Sequence, residues 1–531
     1  MRKKKIFAAA IALVMACGAL SGCGSESDKT SSAVQAKDAL VFSIGSTSCD
    51  GNFDPIKRWG KCYDFFHTGL MKIDQNLSVQ PDLAESYELS EDNLVYTFHL
   101  RDGVKFSDGS PFTAKDVVFT YEKAKAGGVS LDLTMLDKVE AMDDHTVVMT
   151  LSRPHSPFLV NTAYLGIVCS EKYDENYARH PIGTGRYKLV QLNQDQQMIL
   201  EANEYYYGTK PKFKKVTVLS KDDNVVMAAL QAGNVDMACV PANQAGQQIP
   251  GYHIVVCDTM VSKFINLPTT PERTLENGRK VGNDVTADPA IRQALNIGIN
   301  RQQIVEHVLN GYGAPSYYML ESCPWGNKQP TARDDNRFDE ACVLLDAAGW
   351  KDTDGDGIRE KNGRKAVFTI NGSSSETERY NIAVALAQQA KHLGIQINVV
   401  STAWADCKAQ SGTTPTVYAT GNYEPMDIYR YYYTKAAGVS YYNPSYYSNP
   451  IVDYYIDQAM QAAPAKALEW WQKAQYDGST GTNIDIPYLS LTHGQDVYYV
   501  RDGLSLGNQR IHDIGMAGLS AIYNIEEWKY E

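Results

Sequence analysis

Residues 366–400 leave this chain few folds to choose from. Ala366 to Ile370 is a short apolar run of strand type, and Glu376 to Leu393 has helical character. Gly394 stops the helix, and Ile395 to Val400 returns as a second strand. A strand, a helix and a strand in succession make a βαβ unit, which requires a parallel pair. The chain is therefore α/β. Its 531 residues set a prior of about three domains, and a hydrophobic content of 44% provides material for large cores.

A second informative stretch runs from 81 to 121. Leu94, Tyr96, Phe98 and Leu100 alternate with Val95, Thr97, His99 and Arg101, the period of a half-buried strand. Asp102-Gly103 signals a turn, with Val104-Lys105-Phe106 read as the returning strand before a further turn at Asp108-Gly109. Thr113 and Asp116 form a capping pair ahead of Val117, Val118, Phe119 and Tyr121. Elsewhere the patterns predict a strand over 39–45, a helix over 63–70, and a hairpin at Asp143-Asp144-His145 returning through Thr146–Leu151. They also predict a helix over Val225–Leu230 ending near Gly233, then a strand over Val235–Val240. Asp288-Pro289 caps a helix with Ile291, Leu295 and Ile299 on one face, continuing through Arg301 to a stop at Asn310-Gly311. Leu344 to Trp350 closes another helix.

Charge and chain ends narrow the function. A net charge of −12 and a pI near 5.4 exclude a phosphate-tracking surface, so no nucleic acid is expected as partner. Arg2-Lys3-Lys4-Lys5 followed by the short apolar run Ile6–Leu20 reads as a secretory signal, and Leu20-Ser21-Gly22-Cys23 looks like a bacterial lipobox with Cys23 as the lipidated residue. The expected division is a signal at 1–22 and a flexible tether at 23–37, with the lipid as the membrane attachment. Beyond Cys17 and Cys23, eight cysteines remain: Cys49, Cys62, Cys169, Cys239, Cys257, Cys323, Cys342 and Cys407. An even number in an exported chain permits disulfides, but the spacing fixes no pairing, and buried free thiols fit equally well. No HExxH, G-x-S-x-G, Walker loop or paired-histidine zinc spacing is present, and no cofactor is expected; catalytic groups scattered over a sequence leave no such motif, so a secreted hydrolase is kept as the remote alternative.

Several residues are candidates for binding. Asp352, Asp354 and Asp356 with Gly357 match the first half of a calcium loop, but Gly363 stands where the bidentate glutamate belongs, which makes it a weak calcium-like loop. From 418 to 455 tyrosines crowd the chain, a composition suited to a cleft that grips a partly polar ligand or to cores with satisfied hydroxyls. Gly183 and Gly185 do not form a phosphate loop, since no GK[ST] follows. His67 and His307 lack the spacing of metal ligands.

The stretch Pro81-Asp-Leu-Ala-Glu-Ser, Tyr96-Thr-Phe-His-Leu-Arg-Asp-Gly-Val-Lys-Phe-Ser-Asp-Gly, Pro111-Phe-Thr-Ala and Asp116-Val closely resembles the signature of family 5 solute-binding proteins, the peptide- and nickel-binding receptors of ABC importers. PIGTGRYKL at 181–189 (with Arg186 where Pro is usual), AALQAGNVD at 228–236 and DPAIRQALNIGIN at 288–300 (with Asn300 where Asp is usual) extend the resemblance over nearly the whole mature chain. It implies a two-lobed periplasmic-binding-protein-like α/β fold. Lobe 1 would comprise 38–80, 181–265 and 496–531, with an inserted subdomain at 81–180, and lobe 2 would comprise 266–495. It further implies capture of a short peptide or peptide-like solute in the cleft and delivery to permease subunits. The alternatives are a nickel or other metal chelate, or a receptor that only signals. The resemblance places Trp59 in the loop that opens the cleft and Glu424 nearest the acid that pairs with a peptide amino terminus. Asn422, Tyr423, Tyr429, Tyr431 and Trp404 complete the expected ligand set. Nickel-binding relatives carry Asp-Pro-His where this chain has Glu424-Pro425-Met426, which weakens a strict nickel reading. His493 and Asp513 fall in the return crossing to lobe 1.

Overall fold

In the computed structural model, the described residues are 37–44, 49–57, 63–127, 131–220, 222–329, 335–513 and 519–531. The expected signal, nearly all of the tether, Cys23, Trp59 and Cys62 lie outside them.

The βαβ unit forms as its pattern requires. Strand Val367–Ser373 pairs in parallel with Gln396–Thr402, and helix Thr377–His392 crosses between them, packing Ile382, Ala383, Leu386 and Ala390 against Phe368, Ile370 and Ile397. The largest sheet runs in the order Val417–Thr420, Tyr252–Asn266, Tyr488–Arg501, Met237–Val240, Ala39–Ser43, Lys215–Leu219, Gln197–Ala202 and Tyr187–Asn193. Ala39–Ser43 is parallel to both of its neighbours. Two strands of this sheet tie the molecule together. Tyr252–Asn266 and Tyr488–Arg501 pair antiparallel along almost their whole length, with a register shift between Asp258 and Ser262. On one side of that shift Cys257, Tyr498 and Val500 belong to a core with Phe42, Met198 and Trp528. On the other, Ile265, Leu489 and Leu491 belong to a core with Leu295, Trp350 and Leu386.

A separate antiparallel sheet, ordered Ala84–Leu89, Val95–Leu100, Thr146–Leu151 and Leu136–Ala141, carries its own core. Tyr96, Phe98 and Leu100 are buried, as the alternation demands. The expected hairpin between this strand and Val104–Phe106 does not form. The chain instead folds forward at Asp108-Gly109: Phe106 N–H donates to Ser110 O and Phe112 N–H to Val104 O, while the strand takes 84–89 and 146–151 as neighbours. Two successive turn signals compete there, and the second closes the tighter loop, with Gly109 at φ +88°. Helix Ala114–Gly127 begins at the expected cap, where Asp116 Oδ2 accepts the Thr113 N–H at 3.0 Å.

Two further expectations are corrected. Over 63–70 only the 3-10 turn Tyr63–Phe65 is helical, because the following carbonyls accept from other segments: Phe66 O from Gly185, Thr68 O from Ile167, and Leu70 O from Asp82 and Ala84. The helix after Asp288 is two helices, Pro289–Gly298 and Arg301–Val308. Asn300 caps the second by accepting the Gln303 N–H at 2.9 Å, which gives this unusual residue a structural role. Cys169, Cys257, Cys323, Cys342 and Cys407 are free thiols, and no described helix is long and apolar enough to cross a membrane.

Candidate functional site

The glycines of 181–189 build one wall of a site. A Cβ on Gly183 would sit 2.1 Å from Phe66 O, and one on Gly185 would sit 2.5 Å from Phe65 O. Only bare backbone passes this close. Gly185 N–H donates to Phe66 O, which locks the turn at 63–67 and directs Asp64 and His67 into a cavity of about 380 Å³. The next residue, Arg186, also lines that cavity. Its guanidinium pairs with Glu526 at 2.6 Å and donates to Tyr523 O at 2.8 Å.

Arg510 lines the same cavity. Its guanidinium is held between the rings of Tyr423, 4.5 Å away, and Tyr523, 4.4 Å away, and its Nη1 donates to Ile73 O. Tyr423 follows strand Val417–Thr420, which pairs with Tyr252–Asn266 beyond the register shift, whereas the other described lining residues fall in 64–82, 163–186 and 510–527. The Tyr423 N–H donates to the Tyr164 hydroxyl at 2.9 Å, its own hydroxyl donates to Ile511 O at 2.9 Å, and the two rings stack. An apolar cluster unites Ile73 and Tyr164 with Met260, Tyr423 and Ile428 behind this contact. Further out, Ser156 donates from N to Met460 O at 3.0 Å and from Oγ to Ala459 O at 2.7 Å, at the end of helix Pro450–Gln461.

The cavity is charged. Six carboxylates (Asp64, Asp74, Asp82, Asp513, Glu526 and Glu527) line it with three cations, Lys72, Arg186 and Arg510. Asp64 makes no hydrogen bond to a described residue. Its open surface faces the cavity, and the surrounding protein raises its pKa through desolvation, against the pull of Arg510 and Arg186. Desolvation also raises Asp82, which accepts the Tyr207 hydroxyl at 2.6 Å. Carboxylates with raised pKa values beside aromatic-clamped guanidinium groups suit a solute carrying both an ammonium and a carboxylate.

Of the residues expected from sequence to hold ligand, Tyr423 alone lines this cavity among the described residues. Glu424 is 1% exposed in an ion pair with Arg430 at 2.8 Å, and Arg430 also pairs with Asp427 at 3.2 Å. Burial raises the Glu424 pKa, and its carboxylate is already committed. Asn422 donates to Asp427, Tyr429 stacks on Tyr433 at 4.9 Å, and Tyr431 is buried edge-on to Phe264. Trp404 packs against Tyr418 and the Arg379 guanidinium. His493 bonds Glu321 at 3.0 Å away from the cavity, whereas Asp513 lines it. Sequence reading missed Asp64, Arg186 and Arg510; its one signal was Arg186 in a place where proline is usual.

The loop at 352–356 brings its three carboxylates within 4.8 Å of one another, all exposed. Lys365 Nζ sits on Asp354 at 2.8 Å and also on Asp356, and Glu360 is turned onto the Thr353 N–H. An internal cation therefore satisfies the charge that a calcium ion would meet. Millimolar calcium is expected to leave the thermal midpoint unchanged, and a calcium-dependent rise in differential scanning fluorimetry would restore the loop as a cation site.

The model of bacterial extracellular solute-binding proteins, family 5, matches residues 78–443. Protein XP55 of Streptomyces lividans is 31% identical over 523 residues, covering 94% of this chain and 92% of the relative. The oligopeptide-binding protein AppA of Bacillus subtilis is 31% identical over 435 residues, covering 76% and 77%. Its structure in complex with a nonapeptide has a TM-score of 0.66 at 25% identity and covers 94% of this chain and 99% of that one. NikZ from Campylobacter jejuni, in complex with Ni(L-His), has a TM-score of 0.76 at 22% identity, covering 93% and 99%. The two-lobed periplasmic-binding-protein fold and these likenesses converge: the chain belongs to the extracellular solute-binding proteins of family 5, the ligand-capturing components of ABC importers rather than enzymes.

Proposed function

We propose that this protein captures small peptides or peptide-like solutes in the cavity around Asp64, Arg186, Arg510 and Tyr423 and hands them to the permease subunits of an importer. The observation that carries this reading is a cavity lined by both signs of charge, to which the segment after strand Val417–Thr420 contributes Tyr423. A volume of about 380 Å³ lies at the small end of the roughly 300–1,000 Å³ usual for ligand sites, which favours a di- or tripeptide over a long extended one. Arg510 and Arg186 would receive the carboxylate, Asp64 the ammonium, and Tyr164, Tyr423 and Tyr523 the flanks. The name of the relative AppA supports a peptide. A metal chelate of an amino acid would present metal-bound carboxylate oxygens and amine N–H groups in place of a free ammonium, and the likeness to NikZ keeps it as the second reading.

The lobes would be 38–80, 181–265 and 496–531 for the first, with 81–180 inserted, and 266–495 for the second. The register shift near Asp258 would mark the hinge. A solute that binds the closed arrangement better shifts the population toward it, and no chemistry is needed. Cys23 would carry the lipid that keeps the exported chain at the outer face of the cytoplasmic membrane.

Thermal unfolding of the soluble chain, scanned against di- to pentapeptides and against nickel with and without histidine, tests the reading. A solute at a hundred times its Kd adds about 2.7 kcal/mol. Peptide-induced shifts that survive chelator support it; shifts only with metal and histidine would establish the chelate instead. Tyr423→Phe, which loses the bond to Ile511 O, is expected to weaken binding of the best peptide by about 2- to 10-fold in calorimetry. Tyr423→Ala, which also removes the ring over Arg510, should weaken it further.

A further inference from the structure

Beside the contact between segment 155–164 and helix Pro450–Gln461 lies a buried side chain that solute capture does not use. His155 is 2% exposed, and neither ring nitrogen has a hydrogen-bond partner among the described residues. Buried polar groups are almost always paired, so two orphaned nitrogens on one ring mark an arrangement held in place by its surroundings. The docking contact begins one residue further on. The next residue, Ser156, takes the last carbonyls of the helix, Ala459 O and Met460 O. Those carbonyls would otherwise favour a cation at this spot. From there the short helix Phe158–Tyr164 leads directly to the Tyr164 hydroxyl, which accepts the Tyr423 N–H at the cavity wall. One rigid element thus has the histidine contact at one end and the cavity at the other.

We propose that His155 is an acid-sensitive latch: protonating its imidazole undocks segment 155–164 from helix Pro450–Gln461 and opens the cavity. The charged groups that face it are Asp132, on the loop before strand Leu136–Ala141, Arg153 on its own segment, and Arg430 on helix Met426–Tyr432. Arg430 is committed to Glu424 and Asp427, and Asp132 accepts from the N–H and hydroxyl of Thr134 in its own loop. A protonated ring would therefore meet two guanidinium groups, and its one carboxylate neighbour is already engaged. Burial, helped by Arg153 and Arg430 and opposed by Asp132, pushes the His155 pKa down to about 4. In the open arrangement water reaches the ring, which returns to about 6.5. The open form then binds more protons between these values. The docked form is fully favoured above about 6.5 and loses ground as pH falls toward 4, by about 30-fold at pH 5 relative to pH 8.

The latch is testable without any solute, so it stands or falls separately from the assignment of the ligand, although its consequence for release rests on that reading. Hydrogen exchange of the Ser156 amide in the soluble chain, corrected for the intrinsic rate, is compared at pH 7.5 and 5.0 with the amides of strand Val95–Leu100. In the wild-type protein Ser156 is expected to lose protection by more than tenfold relative to the strand. His155→Leu should remove that loss and protect Ser156 at least as well at pH 7.5. His155→Gln, which keeps a polar group without a titration, should also remove the pH dependence if the leucine variant fails to fold. Equal protection at both pH values in the wild type, or an undiminished loss in the variants, would overturn the proposal.

Discussion

Replacing Arg430 with methionine is expected to lower the unfolding free energy by about 3–5 kcal/mol, a large part of the stability of any domain. The guanidinium neutralises two carboxylates that are almost wholly buried, Glu424 and Asp427, at 2.8 and 3.2 Å. Its removal leaves both without a counter-charge. The deficit should shrink in acid: desolvation already raises the Glu424 pKa, and loss of the cation raises it further, so an orphaned Glu424 takes up a proton as pH falls. Thermal unfolding at pH 8 and pH 5 shows this as a midpoint gap between variant and wild type that narrows at the lower pH. Glu424→Gln should cost less, since Asp427 still holds Arg430, and should leave peptide affinity within about threefold. A Glu424→Gln variant that is as stable as wild type but no longer binds would return Glu424 to the ligand.

The second large effect is expected at Gly183. An added Cβ would lie 2.1 Å from Phe66 O and 2.7 Å from the His67 ring, and the nearer atom is backbone that cannot swing aside. Gly183→Ala should therefore cost more than about 3 kcal/mol or prevent folding. Any protein recovered should bind solute weakly, because the turn carrying Asp64 must move. Gly127→Ala is the control: it lies at a helix end with nothing within 4 Å of the added atom, and the change should be within about 1 kcal/mol of neutral by chemical denaturation.

These two sites show where sequence reading succeeds and where it stops. Local patterns were legible: the βαβ unit, the alternation around Phe98, and the caps at Asp116 and Asp288 all depend on residues within a few positions of one another. The helix expected at 63–70 failed because its carbonyls are taken by residues distant in sequence, and no window contains both partners. The same reason hid the cavity, whose Asp64, Arg186 and Arg510 are brought together by the large sheet and the C-terminal segment. Tyrosine content misled differently. A tyrosine can serve a cleft or a core, and only its neighbours decide which. Tyr433 and Tyr447 bury their rings and give their hydroxyls to Asp457 and Asp485, while Tyr423 faces the cavity. Glu424 reads from sequence as the acid for a ligand's amino terminus, whereas its carboxylate is buried against Arg430 on the following helix.

The central claim is that the solute's ammonium end is received at Asp64 in this cavity. Calorimetric titration of the soluble chain with the best tripeptide, its N-acetylated form, and the same tripeptide against Asp64→Asn tests it most directly. The account predicts that acetylation and Asp64→Asn each weaken binding by at least about tenfold, as loss of a charge-assisted hydrogen bond of roughly 1.5–3 kcal/mol requires. Equal affinity for the free and acetylated peptides, or an Asp64→Asn variant that binds as tightly as the wild type, would contradict it.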